Sequence, residues 1–205
     1  MTREELYRSI YSHDIVYCPP QEEGCAMLEV ALGCSWAKCR FCDFAKDRFH
    51  IHSMEKIEEN LKVLGQLRAD KDRVFFLGEN ALCLDTKKLL DIMAMTKRYM
   101  PKVTSFAMYA RFDDVLRKSD DELALLREAG LEDVHMGFET GSDSILEMMN
   151  KGVGSSLNLI NPTESASPTK LLETNDNLVG SYTFDASNSG GIISVPNSTL
   201  GNTGE

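Results

Sequence analysis

The sequence has little that would take it to a membrane or a nucleic-acid backbone. No apolar run approaches the roughly 20 residues of a membrane span. The start Met1-Thr2-Arg3-Glu4-Glu5 carries acids where a secretory signal needs basic residues and an apolar core, so a cytoplasmic protein is expected. Twenty-two lysines and arginines against 32 acids give a net charge of −10, which excludes a general affinity for phosphate backbones and leaves room only for a local basic patch. There is no Ser-His-Asp order, no P-loop and no dinucleotide-binding glycine signature. Basic residues run out toward the C-terminus: residues 155–205 contain one lysine, no arginine, and 27 Ser, Thr, Asn and Gly among 51, so few apolar groups there offset chain entropy.

Cysteine, by contrast, is concentrated. Three of the six lie in Gly33-Cys34-Ser35-Trp36-Ala37-Lys38-Cys39-Arg40-Phe41-Cys42, a C-x4-C-x2-C array directly after the strand-like run 26–32. Three thiolates in one short loop suit a soft metal centre. A disulfide would strand one thiol, and a closed zinc site needs a fourth ligand. His50 or His52 is a candidate for that ligand, although two histidines in a polar loop are usually just exposed. A four-iron cluster on three cysteines keeps one iron open to a small molecule. Cys18 and Cys25 lie close by in sequence but read as small buried hydrophobes, as does Cys83.

The front part reads as alternating strands and helices. After a lead-in containing Leu6, Tyr7 and Ile10, turned by Cys18-Pro19-Pro20, comes the first strand, 26–32. Ser53 caps a helix with apolar residues at Ile57, Leu61, Leu64 and Leu67. Residues 73–77 form a strand, and a helix begins near Asp85 and stops at Pro101. Residues 103–109 form a strand, Ser119 to Glu122 is a capping box opening a helix closed by Gly130, and residues 133–138 and 143–149 form a strand and a helix. Strand starts at 73, 103 and 133 imply a βα unit with a fixed period, hence an α/β fold with a parallel sheet. The unusual residues fall at strand C-terminal ends: the cysteine loop, Gly78-Glu79-Asn80, Tyr109 to Arg111, and Glu139-Thr140-Gly141. His135 reads as a satisfied core residue, and Arg111 as a partner for either a ligand carboxylate or a surface acid. No fifth strand begins near 163; the tail offers only short β-like runs, 179–184 and 192–195, flanking Asn188-Ser189-Gly190-Gly191, compatible with a hairpin in an otherwise weakly ordered segment.

The array, with Gly33 before its first cysteine and Phe41 before its last, resembles that of the radical S-adenosylmethionine (radical SAM) superfamily, in a C-x4-C-x2-C variant of its iron-sulfur oxidoreductases where C-x3-C-x2-C is commonest. The resemblance runs from about Cys25 to Gly152 and includes Gly137 to Ser142 and Asn150-Lys151-Gly152. It implies a partial (β/α) barrel of about four βα units, with a lead-in at 1–24, a core at 25–153 and a polar tail at 154–205, as if a longer barrel were truncated or fused after about residue 153. It implies a 4Fe–4S cluster on Cys34, Cys39 and Cys42 whose open iron is chelated by S-adenosylmethionine, which is cleaved to a 5′-deoxyadenosyl radical. Phe41 would lie near the adenine; Gly78, Glu79 and Asn80, matching a Gly-Gly-Glu element with one glycine, would meet the amino group; Glu139 would hold the ribose or methionine end. The expected partners are a flavodoxin- or ferredoxin-type electron donor and a substrate that the sequence does not identify. A zinc-holding binding module and an inactive fragment are the competing readings.

Overall fold

In the computed structural model, residues 2–43 and 47–154 are described, together with the backbone of strands Ser181–Phe184 and Ile193–Ser194. Four parallel strands form the centre: β1 (Ala26–Glu29), β4 (Arg73–Leu77), β5 (Ser105–Ala110) and β6 (Leu131–Gly137). Helices α2 (Met54–Leu67), α3 (Thr86–Tyr99) and α5 (Asp120–Glu128) intervene, and α1 (Arg3–Arg8) and α6 (Asp143–Met148) flank them. This is the α/β architecture expected of a partial (β/α) barrel, parallel strands joined through helices.

Two-residue alternation splits the sheet's side chains between its faces. Val74 and Phe76 of β4, Phe106 and Met108 of β5, and Val134 and Met136 of β6 pack with Ile57, Leu61, Leu64, Leu89 and Ile92 of the helices. The intervening Phe75, Leu77 and Ala107 form a second, smaller cluster with Cys25, flanked by Tyr109. That inner face is covered by the N-terminal segment, whose Tyr11, Val16 and Cys18 pack on it. The segment is tied down by Asn60 Nδ2 to Ile10 O (3.0 Å), Tyr11 Oη to Met27 O (3.0 Å) and Arg68 Nη2 to Cys25 O (3.1 Å).

Helix starts follow the sequence closely. Ser53 Oγ accepts from Lys56 N (3.2 Å), and Ser119 and Glu122 exchange the two bonds of a capping box (2.9 and 3.2 Å). Strand limits differ. The run expected as one strand, 26–32, divides: β1 stays in the sheet, while β2 (Ala31–Leu32) pairs antiparallel with β3 (His50–Ile51). Val30 sits at the fork, its N–H bonded to Leu77 O (3.2 Å) and its carbonyl accepting from His52 N (3.1 Å). The cysteine array is therefore carried by the loop of a β-hairpin. The constant 30-residue period also gives way, since β5 and β6 begin at Ser105 and Leu131 and their register shifts between Phe106 and Ala107. A helix absent from the sequence reading, α4 (Phe112–Leu116), follows β5 at once, its first turn fixed by Arg111 N to Asp114 Oδ2 (3.0 Å).

Beyond α6, β7 (Ser181–Phe184) pairs antiparallel with β6, and β8 (Ile193–Ser194) antiparallel with β7. These fall within the two β-like runs of the tail; the turn 188–191 and the rest of that segment lie outside the described residues.

Candidate functional site

A cavity of about 1020 Å³ opens at the C-terminal ends of the parallel strands. It is large enough for a nucleotide-sized ligand. Cys34, Cys39, Cys42, Phe41, Gly78, Glu79 and Glu139 all line it, drawn together from the ends of β4 and β6 and from the β2–β3 hairpin loop.

The cysteine loop is bent by Gly33 at φ 72°, where a Cβ would stand 2.6 Å from Asp47 O. Its far side is clasped by the segment after α6. Arg40 N bonds Met149 O (2.9 Å), Trp36 Nε1 bonds Asn150 O (2.9 Å), and Asn150 Nδ2 bonds Lys38 O (2.8 Å). The Trp36 ring lies so close over Gly152 that no side chain fits there. Burial pushes the Cys39 thiol up, against the pull of Lys151 and Arg111, while Cys42 and Cys34 add to the rise; the three sulfurs are thus within electrostatic reach of one another. Among the described residues no three His, Cys, Asp or Glu side chains are gathered onto one metal-sized point. The donor set of three free cysteines lining one cavity nevertheless suits a soft iron-sulfur centre.

Glu79 supplies a second observation. Its Oε2 is buried with no hydrogen-bond partner among the described residues, and burial raises its pKa above the usual carboxylate range, reinforced by Asp47 and Glu29. An unpartnered buried carboxylate oxygen is costly unless a cation or donor meets it. Gly78, at φ 131°, packs against Ala31, where a Cβ would lie 3.1 Å from the Ala31 Cβ, so the missing side chain permits this close approach between strand ends.

Asn80 is buried and is absent from the cavity lining. Its amide accepts from Ser35 N (3.0 Å) and donates to Ser35 Oγ (2.7 Å) and Asp114 Oδ2 (2.9 Å), so it fastens the cysteine loop to α4. Glu139 adopts φ 63°, a conformation rarely taken by residues other than glycine, asparagine and aspartate, and its Oε1 accepts from Lys151 Nζ at 2.7 Å. A side chain at Gly137 would collide with this pair. Phe41 stands 46% exposed at the rim, with Lys151 Nζ 5.7 Å from its ring centroid.

The other candidates separate. Arg111 lines the cavity but is buried rather than at the surface: Nε holds Asp113 Oδ1 (2.9 Å), Nη2 holds Lys151 O (3.0 Å), and the guanidinium lies 5.2 Å from the Trp36 ring. His52 is buried and its Nε2 meets Glu29 Oε1 (2.8 Å), which occupies that nitrogen and leaves His50 exposed on the hairpin. Cys25 Sγ donates to Glu22 Oε2 (3.1 Å), and burial pushes both Cys25 and Cys83 up to about 12. Neither Cys25 nor Cys83 lines the cavity. Sequence reasoning missed His13 and Asp47, which line the cavity and pair at 2.8 Å across a 34-residue separation that no local pattern marks. It also missed the clasping role of Trp36 and Asn150, for which the nearby array was the available signal.

A parallel α/β sheet thus carries three cysteines and a carboxylate with one unpartnered oxygen among the described residues around one strand-end cavity. A family model described as the radical SAM superfamily matches residues 28–160, and the chain belongs to that superfamily. The heme chaperone HemW of Bacillus subtilis (strain 168) is 28% identical over 125 residues, covering 55% of this chain and 31% of HemW. The chain thus matches about a third of the length of this curated relative.

Proposed function

We propose that this chain is a radical SAM enzyme core, spanning residues 25–153, in which Cys34, Cys39 and Cys42 hold a 4Fe–4S cluster and S-adenosylmethionine fills the adjoining cavity. One observation carries the reading: the cavity lined by the three cysteines is also lined by Glu79, whose Oε2 has no partner among the described residues. The ammonium of an amino acid would give that oxygen a charge-assisted partner. Gly78 keeps the turn close-packed beside it. Phe41 offers an apolar face at the rim for a base. Glu139, held by Lys151, offers a carboxylate for ribose hydroxyls. Asn80 serves by fixing Ser35, and through it the cysteine loop. When bound, the cluster supplies the electron that reductively cleaves the sulfonium. That electron calls for a one-electron donor of flavodoxin or ferredoxin type.

The haem role in HemW's name stays with HemW, because the shared stretch is only 31% of that protein. For zinc, the buried His52–Glu29 pair removes one candidate fourth ligand.

Anaerobic reconstitution with iron and sulfide tests the reading. About four irons and four sulfides per chain are expected, with Cys34→Ala, Cys39→Ala and Cys42→Ala each losing them. A chain that keeps zinc and takes up no iron contradicts it.

A further inference from the structure

His135 sits in the middle of β6 and is 3% exposed, yet it lines the cavity. Its two ring nitrogens have different fates. Nε2 meets Glu22 Oε1 at 3.0 Å, while Nδ1 is buried with no partner among the described residues. Glu22 is a carboxylate: burial works to raise its pKa, but hydrogen bonds from Arg73, His135 and Cys25 outweigh this and hold it below the usual range. A carboxylate only accepts, so Nε2 carries the proton and, in the neutral ring, Nδ1 presents a lone pair.

The surroundings restrict what could meet that lone pair. Tyr109, opposite His135 in the strand register, has its ring 6.2 Å away, and Phe75 has its ring 5.8 Å away. Leu77, Val16 and Tyr109 line the same cavity. Burial pushes the Tyr109 phenol up to about 12, so it stays protonated.

We propose that His135, oriented by Glu22, is a substrate-facing acceptor whose Nδ1 takes a hydrogen bond from the hydroxyl or amine of a substrate with an apolar or aromatic body. Leaving this nitrogen unpaired is costly without a ligand, and a donor arriving from the cavity satisfies it. The inference rests on the cavity being the substrate chamber, but it needs no cluster.

The test uses the full chain without iron, with phenol and its methyl ether anisole as probes, read by nitrogen-15 NMR of the histidines. The expected result is an unprotonated Nδ1 on His135 whose resonance moves toward the protonated range with phenol and not with anisole. The His135→Gln variant, whose amide can still donate to Glu22, should bind phenol roughly 10-fold more weakly, the value of about one hydrogen bond. A protonated Nδ1 facing Glu22, an unmoved resonance, or equal responses to both probes overturns the proposal. The wild-type measurement decides even if the variant fails to fold. Absence of a cluster on reconstitution would overturn the radical reading and leave this result standing.

Discussion

At the scale of single residues, Glu79 and Glu22 are opposite cases of a buried acid. Glu79 lacks a partner for Oε2 among the described residues and has a raised pKa, so its charged form is disfavoured in the fold. A raised carboxyl pKa means the folded state binds the proton more readily, so stability increases as pH falls through the Glu79 value. Glu79→Gln is therefore expected to raise the thermal midpoint at neutral pH while weakening S-adenosylmethionine binding roughly 10-fold. Melting curves and calorimetric titration of the reconstituted protein check the two halves, and a variant both less stable and equally good at binding would sink the assignment. Glu22 is bound by Arg73 through Nη2 to Oε1 (2.7 Å) and Nε to Oε2 (2.8 Å), and its pKa is lowered. Its stabilisation is present above the ordinary glutamate value and is lost as pH falls toward the lower folded value. Arg73→Ala should cost about 3–5 kcal/mol, since it strands a buried carboxylate. Urea unfolding at neutral pH measures this, and the loss should shrink at low pH.

At the scale of elements, the strongest local patterns survive and the shared ones do not. Ser53 and Ser119 announce helix starts because an N-cap depends on residues three apart in sequence. The division of residues 26–32 into β1 and β2 depends on Val30 meeting both Leu77 and His52, contacts invisible to a local reading. The same contrast holds in the site. The three cysteines, Gly78, Glu79 and Glu139 stood out by type and by position at strand ends, and all line one cavity. The partners that hold them, Asn150 to Lys38 and Asn80 to Ser35, span long separations. The clasp itself can be tested: Asn150→Ala removes the amide bond to Lys38 O, and about half-normal iron loading with an unchanged melting midpoint is expected for a loop-positioning role. Helix packing supplies a structural control, because a Cβ at Gly65 would stand 2.6 Å from Tyr99 O. Gly65→Ala should cost about 1–3 kcal/mol by forcing α2 and α3 apart, seen in unfolding and not in iron content per folded chain.

At the scale of the whole molecule, the sheet divides the labour. Its helix-facing side is a continuous apolar core, and its inner side, walled by the N-terminal segment, carries the cavity and the charged and ring-bearing residues beneath it. Among the described residues no helix is long and apolar enough to cross a membrane. The fold thus gathers three cysteines and a carboxylate with one unpartnered oxygen among the described residues around strand ends, where this class of sheet presents its reactive groups. The measurement that tests this account most directly is electron paramagnetic resonance of the reduced, reconstituted chain with and without S-adenosylmethionine. A four-iron signal that changes on addition of the ligand, and does so less in Glu79→Gln, is the predicted result. A signal indifferent to the ligand, or no iron signal at all, would contradict it.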